Sequence, residues 1–116
     1  MNSSRMNCMN LPRYQHSACT DGRFVYVTGS KSLGKNNFKI NGKKKKAEKN
    51  EFIGRSVERF DPINNVWQFL PCMQQKRALH SSCVLGSALY VLFGKDKSLL
   101  SSIERLSLRN LDTQNY

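Results

Sequence analysis

The chain repeats itself, and this internal repeat constrains its fold more than any other feature of the sequence. When the sequence is compared with itself at a shift of 64 residues, the same residue types recur in the same order. The matching pairs are Cys8 and Cys72, Met9 and Met73, Arg13 and Arg77, His16 and His80, Cys19 and Cys83, Gly22 and Gly86, and Tyr26 and Tyr90. The match stops near Ser30 and resumes at a shift of 46, where Ser56 to Arg59 align with Ser102 to Arg105. The chain therefore contains two copies of one unit, and the first copy carries 18 additional residues.

Each copy is predicted to form a series of short β-strands. Arg23 to Gly29 is dense in β-branched and aromatic residues, which indicates a buried strand, and the preceding Asp21-Gly22 is a strong hairpin signal. A second turn falls at Asp61 to Asn65, where proline fixes φ and the Asp and Asn side chains bond locally. The sequence therefore predicts an antiparallel meander with strands at His16–Thr20, Arg23–Gly29, Ser56–Phe60 and Val66–Leu70.

A sheet of four short strands exposes an apolar face that it cannot bury alone, so repeats of this kind stack on one another. In a β-propeller the stacked sheets, or blades, close into a ring of about 4–8. We expect residues 10–73 to form one blade with an insertion at 31–55, and residues 74–116 to form a second, incomplete blade. Residues 1–9 would end a preceding repeat or serve as a linker. Two blades cannot close a ring, so the chain is a fragment, a truncated product or a chain that must associate, and we favour the fragment.

The recurring residues resemble the kelch repeat. The copies read CMNLPRYQHSACTDGRFVYVTGS followed by SVERFDPINNVW, and PCMQQKRALHSSCVLGSALYVLFGK followed by SIERL. The resemblance spans roughly residues 8–108 and is greatest to the kelch-like group, in which Ser-Val-Glu-Arg-Tyr-Asp-Pro is common. It implies an all-β fold made of kelch-type β-propeller blades, each a four-stranded antiparallel meander, in an incomplete propeller.

The copies depart from the kelch pattern at two places. The double glycine of the family is Gly29-Ser30 in the first copy and Phe93-Gly94 in the second. Thr113 occupies the position that corresponds to Trp67. Either Tyr116 takes the role of that tryptophan after a longer turn, or the second copy lacks its fourth strand.

Most residues that recur are expected to hold the scaffold together. We expect Arg13 and Arg77 to pair with an acid of the neighbouring blade, such as Glu58 or Glu104. The two histidines, at the same repeat position, are expected to pack near the first strand and make a backbone hydrogen bond. The predicted structural residues are Arg13, His16, Gly29, Glu58, Arg59, Trp67, Arg77, His80, Gly94, Glu104 and Arg105.

The resemblance also implies where a partner would bind. In kelch propellers the loop between the Arg and His positions faces the partner, as does the loop between the second and third strands. By that resemblance Tyr14, Gln15 and Leu79 are the candidate contact residues, with Ala78 beside them. We expect a protein–protein interaction module, which recognises substrates for a cullin-type ubiquitin ligase through a larger parent protein. The alternatives are an actin or cytoskeletal scaffold and, with no support from the sequence, a propeller-based enzyme.

The positive charge of the chain is concentrated in one segment. The formal net charge is +11, yet eight lysines and two glutamates between residues 31 and 54 carry over half of it. One interpretation of Lys43 to Lys46 is a nuclear-localisation signal or a site for an anionic partner. The other, which we favour, is a solvated and disordered loop. Phe38 and Phe52 are isolated, so the segment lacks the interleaved aromatic residues that stack on bases, and a nucleic-acid partner is not expected.

No sequence motif indicates catalysis, a metal or a cofactor. The four cysteines are explained by the repeat and lack the close spacing of a zinc site. No phosphate-binding glycine loop or nucleophile motif is present in the sequence. No apolar run approaches the ~18 residues that span a membrane, and the N-terminus lacks the apolar region of a secretory signal. We therefore expect a non-enzymatic cytoplasmic protein with reduced cysteines, or a nuclear one if Lys43 to Lys46 act as a signal.

Overall fold

The computed structural model describes residues 3–31, 39–40, 43–44, 52–109 and 111, and almost all of its regular secondary structure is β-strand. The strands are β1 Ser17–Thr20, β2 Val25–Thr28, β3 Lys39–Ile40, β4 Lys43–Lys44, β5 Val57–Asp61, β6 Val66–Leu70, β7 Ser81–Leu85, β8 Ala88–Leu92, β9 Lys95–Asp96, β10 Ser98–Leu99 and β11 Ile103–Ser107. The predicted all-β class is confirmed, and the four strands predicted for the first copy lie within about two residues of their expected bounds.

Two antiparallel sheets correspond to the two copies. The first has the order β1-β2-β5-β6, and the second has the order β11-β8-β7. Their registers are equivalent, because Tyr26 lies opposite Cys19 and Arg59 just as Tyr90 lies opposite Cys83 and Arg105. The repeat in the sequence is therefore a repeat of structure, and the predicted incomplete kelch-type blades are confirmed.

In each copy, one short hairpin lies in the loop between the second and third strands of the sheet. In the first copy β3 pairs with β4, and in the second β10 pairs with β9. Residues 32–38, 41–42 and 45–51 of the predicted insertion, including Lys45 and Lys46, lie outside the described residues, as do Thr113 and Tyr116. The bounds proposed for the repeats and for the leading residues 1–9 stay predictions.

The end of the insertion is packed and not solvated. Residues 52–55 form a single helical turn. Ile53 on that turn is fully buried against Leu11 of the N-terminal segment, with Phe52 packed beside them. The Met73 amide donates to the Arg55 carbonyl at 2.8 Å, which ties the turn to the start of the second copy. The insertion expected at 31–55 therefore ends in a buried turn, because the N-terminal segment removes its isoleucine from water.

The main hydrophobic core lies between the two sheets. Tyr26 and Val57 lie on one face of the first sheet, and they pack with Leu89 and Val91 of the second. The remaining buried members of this core are Phe24, Leu70, Met73 and Leu111. The innermost strands also meet through the Ser17 and Ser82 hydroxyls, 2.6 Å apart. The two sheets are therefore stacked face to face, as expected for adjacent blades.

Gly29 permits this stacking at one end of the sheets. Its φ of +66° lies in the left-handed region, and a Cβ at this position would overlap the Arg77 carbonyl and the His80 ring. The residue at the same position of the second copy is Phe93, which adopts a φ of +62°. Glycine is therefore required at residue 29 by the neighbouring sheet as well as by its own backbone.

We expect Gly29→Ala to destabilise the protein by about 3 kcal/mol, from the left-handed backbone and the overlap combined. Gly86→Ala is the matched control, because Gly86 has a φ of +60° but nothing lies within 4 Å of a Cβ there. The control should cost only about 1 kcal/mol. Urea unfolding of both variants measures the difference, and equal losses would show that the overlap with the second sheet does not matter.

Candidate functional site

A buried arginine in each copy ties the loops to the sheet. Arg13 donates from Nη1 to the Gly29 carbonyl at 2.9 Å and from Nη2 to Glu58 Oε2 at 2.9 Å, and both side chains are fully buried. Burial lowers the pKa of Arg13, and the Glu58 carboxylate partly offsets this effect. The guanidinium keeps its charge because its ordinary pKa is so high.

Arg77 makes the equivalent contacts in the second copy. It donates to the carbonyls of Phe93 at 2.8 Å and Ser102 at 2.9 Å, and it pairs with Glu104 at 3.2 Å. The predicted acid partners are correct, but the prediction that each arginine pairs across blades is wrong. Each repeat supplies an arginine before its first strand and a glutamate on its third strand, so the pair forms within one repeat.

The predicted contact residues lie at one end of the stacked sheets. Tyr14 is 41% exposed and Leu79 is 62% exposed, and Gln15 is exposed as well. The Leu79 amide donates to the Gln15 carbonyl at 2.8 Å, which joins the equivalent loops of the two copies. Gln15 and Leu79 adopt φ values of +55° and +53°, so both copies bend their loops in the same unusual way.

Ala78 does not belong with these exposed residues. It is only 7% exposed, and its backbone pairs with that of Lys95. Its side chain is therefore less accessible than those of Tyr14, Gln15 and Leu79, and its role as a contact residue stays a prediction.

A cleft of about 290 Å³ opens between the two loops. Gln15 and Leu79 line it, and Tyr14 does not. Its other lining residues are Ser30, Lys31, Lys76, Arg77, Ala78, Lys95, Asp96 and Lys97. The sequence-based prediction thus identified part of this cleft and missed its lysines.

The lysines give the cleft a positive character. Lys31, Lys95 and Lys97 are exposed. Asp96 is already engaged, because its oxygens lie 3.0 Å from the Gln75 amide nitrogen and 3.7 Å from Lys76 Nζ. Lys31 and Lys95 occupy the same repeat position, one residue beyond the point where the repeat was taken to stop. This recurrence of lysine in the repeat is the sequence signal from which the lysines of the cleft could have been predicted.

His80 lies under the cleft, at the junction of the two sheets. Its Nε2 lies 2.7 Å from the Thr28 hydroxyl, and its Nδ1 is buried without a hydrogen-bond partner among the described residues. His80 is thus tied to Thr28 of the first sheet, where a backbone hydrogen bond also acts on the ring. Burial, reinforced by the positive charge of Arg77, lowers the pKa of His80 to about 4. His16, at the same repeat position, is exposed.

The other predicted structural residues are placed as follows. Trp67 donates from Nε1 to the Asn7 carbonyl at 2.8 Å and packs on Phe60. Arg59 donates to Gln68 and lies over the Phe24 ring, whereas Arg105 is exposed. Gly94, with a φ of +90°, lies against His80 and the Ala78 carbonyl. Their assignment to the scaffold stays a prediction.

Within the described ranges, no group of three or more His, Cys, Asp or Glu side chains could hold a metal ion. The four cysteines are free thiols, and Cys8, Cys72 and Cys83 are exposed. Among these same ranges, no helix has the length and apolarity to cross a membrane.

Comparison with known proteins agrees with this structure. No protein-family model matches the chain. The chain is 32% identical to human Kelch-like protein 13 over 88 residues, which cover 76% of this chain and 12% of the relative. It is 32% identical to mouse Kelch-like protein 9 over 87 residues, covering 75% of this chain and 12% of the relative. It is 28% identical to human Kelch-like protein 34 over 100 residues, covering 84% and 15%.

Two stacked antiparallel sheets with a buried arginine–glutamate pair in each define kelch-type propeller blades. The resemblance deduced from the sequence is confirmed by the relatives, and the chain belongs to the kelch-repeat family. It spans between 12% and 15% of the length of these relatives. The fold and the relatives together support a kelch-type protein-interaction module.

Arg77→Lys should destabilise the protein by about 2–4 kcal/mol. Lysine keeps the charge but cannot reach the Phe93 and Ser102 carbonyls and Glu104 together, so buried acceptors lose their donors. Arg105→Lys is the matched control on the exposed side of the second sheet, and it should change stability by less than about 0.5 kcal/mol. Chemical denaturation measures the free energy of unfolding of both variants. If Arg77→Lys is as stable as the parent, the contacts of the Arg77 guanidinium do not have the proposed role.

The low pKa of His80 predicts acid sensitivity. The unfolded chain binds a proton at this histidine near pH 6.5, and the folded protein does so only near pH 4. The folded state therefore loses up to about 3 kcal/mol of stability as the pH falls through that window, and keeps it above the window. Unfolding free energies of the parent and His80→Gln between these pH values test this. If both lose stability with the same slope, the loss comes from other groups.

Proposed function

We propose that the chain is a protein-recognition module and that its partner binds the end of the sheets where the cleft opens. The observation that carries this proposal is Leu79, an apolar side chain that is 62% exposed on a left-handed backbone. A leucine in this conformation costs free energy and, with most of its surface in water, gains little from burial. An arrangement of that kind is typical of a binding surface, because a partner can bury the side chain.

The surroundings of Leu79 support this proposal. Its amide is held by Gln15, the adjoining Ala78 backbone is held by Lys95, and Arg77 is fixed by its pair with Glu104. The side chain is therefore presented by a loop whose backbone hydrogen bonds run to the rest of the scaffold. Loops fixed on a rigid sheet are common sites of recognition, since less freedom is lost on binding.

As a finer proposal, the module selects substrates for a cullin-type ubiquitin ligase, with the contact to the ligase made by segments outside these 116 residues. Similarity to kelch-like proteins supports this role. The alternative is a scaffold on actin or another cytoskeletal filament. In either role the chain is proposed to be non-enzymatic and cytoplasmic, or nuclear if Lys43 to Lys46 act as a targeting signal.

Leu79→Asn should abolish partner binding without unfolding the protein. Asparagine tolerates the left-handed backbone better than leucine does, so stability should be unchanged or slightly higher. Ile63→Asn is the matched control, because Ile63 is 83% exposed in the turn after β5, at the opposite end of the sheets. Quantitative crosslinking and mass spectrometry in cells would compare both variants with the parent. Partners kept by Leu79→Asn, or lost equally in the control, would contradict the proposed surface.

Two further measurements distinguish the finer roles. For a ligase adaptor, a cullin scaffold should co-purify with the protein, and ubiquitylation of a crosslinked partner should fall in Leu79→Asn. For a cytoskeletal scaffold, the protein should co-sediment with actin filaments, and Leu79→Asn should stay in the supernatant. If the protein neither co-purifies with a cullin scaffold nor co-sediments with actin filaments, both finer roles are wrong and only protein recognition remains as the proposed function.

A further inference from the structure

We propose that the cleft between the two loops binds an acidic segment of the protein partner. This inference rests on the proposed function and adds to it the chemistry of the segment that is recognised. The cleft is lined on both sides by lysines, with Lys31 contributed by the first copy and Lys95 and Lys97 by the second. The acidic segment would lie along the cleft with its carboxylates near these amino groups.

The balance of charge in the cleft carries the proposal. Lys31, Lys95 and Lys97 are exposed, and Asp96 is the acid among the residues that line the cleft. Both oxygens of Asp96 are engaged, by Gln75 and Lys76. Arg77 is directed into the protein by its pair with Glu104. The exposed lysines thus present positive charge that the residues lining the cleft do not neutralise, and it complements a segment rich in Asp or Glu.

The backbone that carries two of these lysines is held by hydrogen bonds. The Lys31 amide donates to the Tyr14 carbonyl, and the Lys95 amide donates to the Ala78 carbonyl. Both lysines therefore extend from backbone that is hydrogen-bonded to the loops of the cleft. Their equivalence in the repeat places one lysine of this pair in each copy, so a bound segment contacts both copies at once.

The lining favours a peptide over a nucleic acid. Single-stranded nucleic acids are bound by grooves in which bases stack on aromatic side chains, and the residues that line this cleft include none. The cleft instead carries the exposed apolar side chain of Leu79 beside the lysines. An acidic segment with an adjoining apolar residue matches both features, because the apolar residue can bury Leu79.

Fluorescence anisotropy with the whole chain tests the proposal. The probe is a labelled synthetic peptide rich in Glu with one Leu, and its control has Gln in place of every Glu. The Glu peptide should bind, and its affinity should fall as the ionic strength rises to about 0.15 M, because salt screens exposed charges. Equal binding of the two peptides, no binding of either, or preference for a labelled single-stranded oligonucleotide would overturn the proposal.

Substitutions locate the binding in the cleft. Lys31→Gln and Lys95→Gln should each weaken binding of the Glu peptide by about two- to fivefold, and the double variant by about tenfold. Arg23→Gln is the matched control, because Arg23 is exposed in the turn at the opposite end of β1 and β2. It should leave the affinity unchanged. Urea unfolding checks that each variant is folded. An unchanged affinity in a folded double variant, or an equal loss in the control, would exclude the cleft.

The outcome separates this proposal from the one on which it rests. If cellular partners are lost in Leu79→Asn but the Glu peptide does not bind the parent chain, the recognition surface stands and the acidic preference is wrong. If partners are unaffected by Leu79→Asn, the proposed surface itself is wrong, whatever the peptide does.

Discussion

The arginine–glutamate pair inside each sheet is the interaction on which the rest of the structure depends. The chain leaves the second strand of each sheet through a left-handed residue, Gly29 or Phe93, and the carbonyl of that residue is satisfied by Arg13 or Arg77. A buried arginine requires a carboxylate, and the third strand supplies it. One side chain therefore fixes the strand end, the loop before the first strand and the third strand together, and it sets the shape of the surface above.

Stacking of the sheets adds a second constraint at the same end of the molecule. His80 reaches from the second copy to Thr28 of the first, and Gly29 leaves the space that the ring and the Arg77 carbonyl occupy. The cleft lies directly above this junction. The shape of the cleft therefore depends on the stacking of the sheets, because a change that separates the two copies also moves Lys31 away from Lys95.

Much of this arrangement followed from the sequence, and the failures have physical causes. The strands, the stacking and the acid partners of Arg13 and Arg77 were predicted because a repeat reports which residues play equivalent parts. It does not report whether a contact forms within one unit or between two, so the direction of the arginine pairs was wrong. The lysines of the cleft were missed, since exposed lysines are individually ordinary and become a site only when two loops meet.

Phe93 makes the second sheet different from the first as a surface on which another sheet could stack. It occupies the position of Gly29 with nearly the same φ, yet it carries a side chain where Gly29 has none. A unit placed on the second sheet as the second sheet is placed on the first would direct its own carbonyl and histidine ring at the Phe93 Cβ. The two sheets thus differ in how closely another sheet can stack on them. The first sheet has space for a close neighbour, whereas the second would hold a similar neighbour at a greater separation or a different angle.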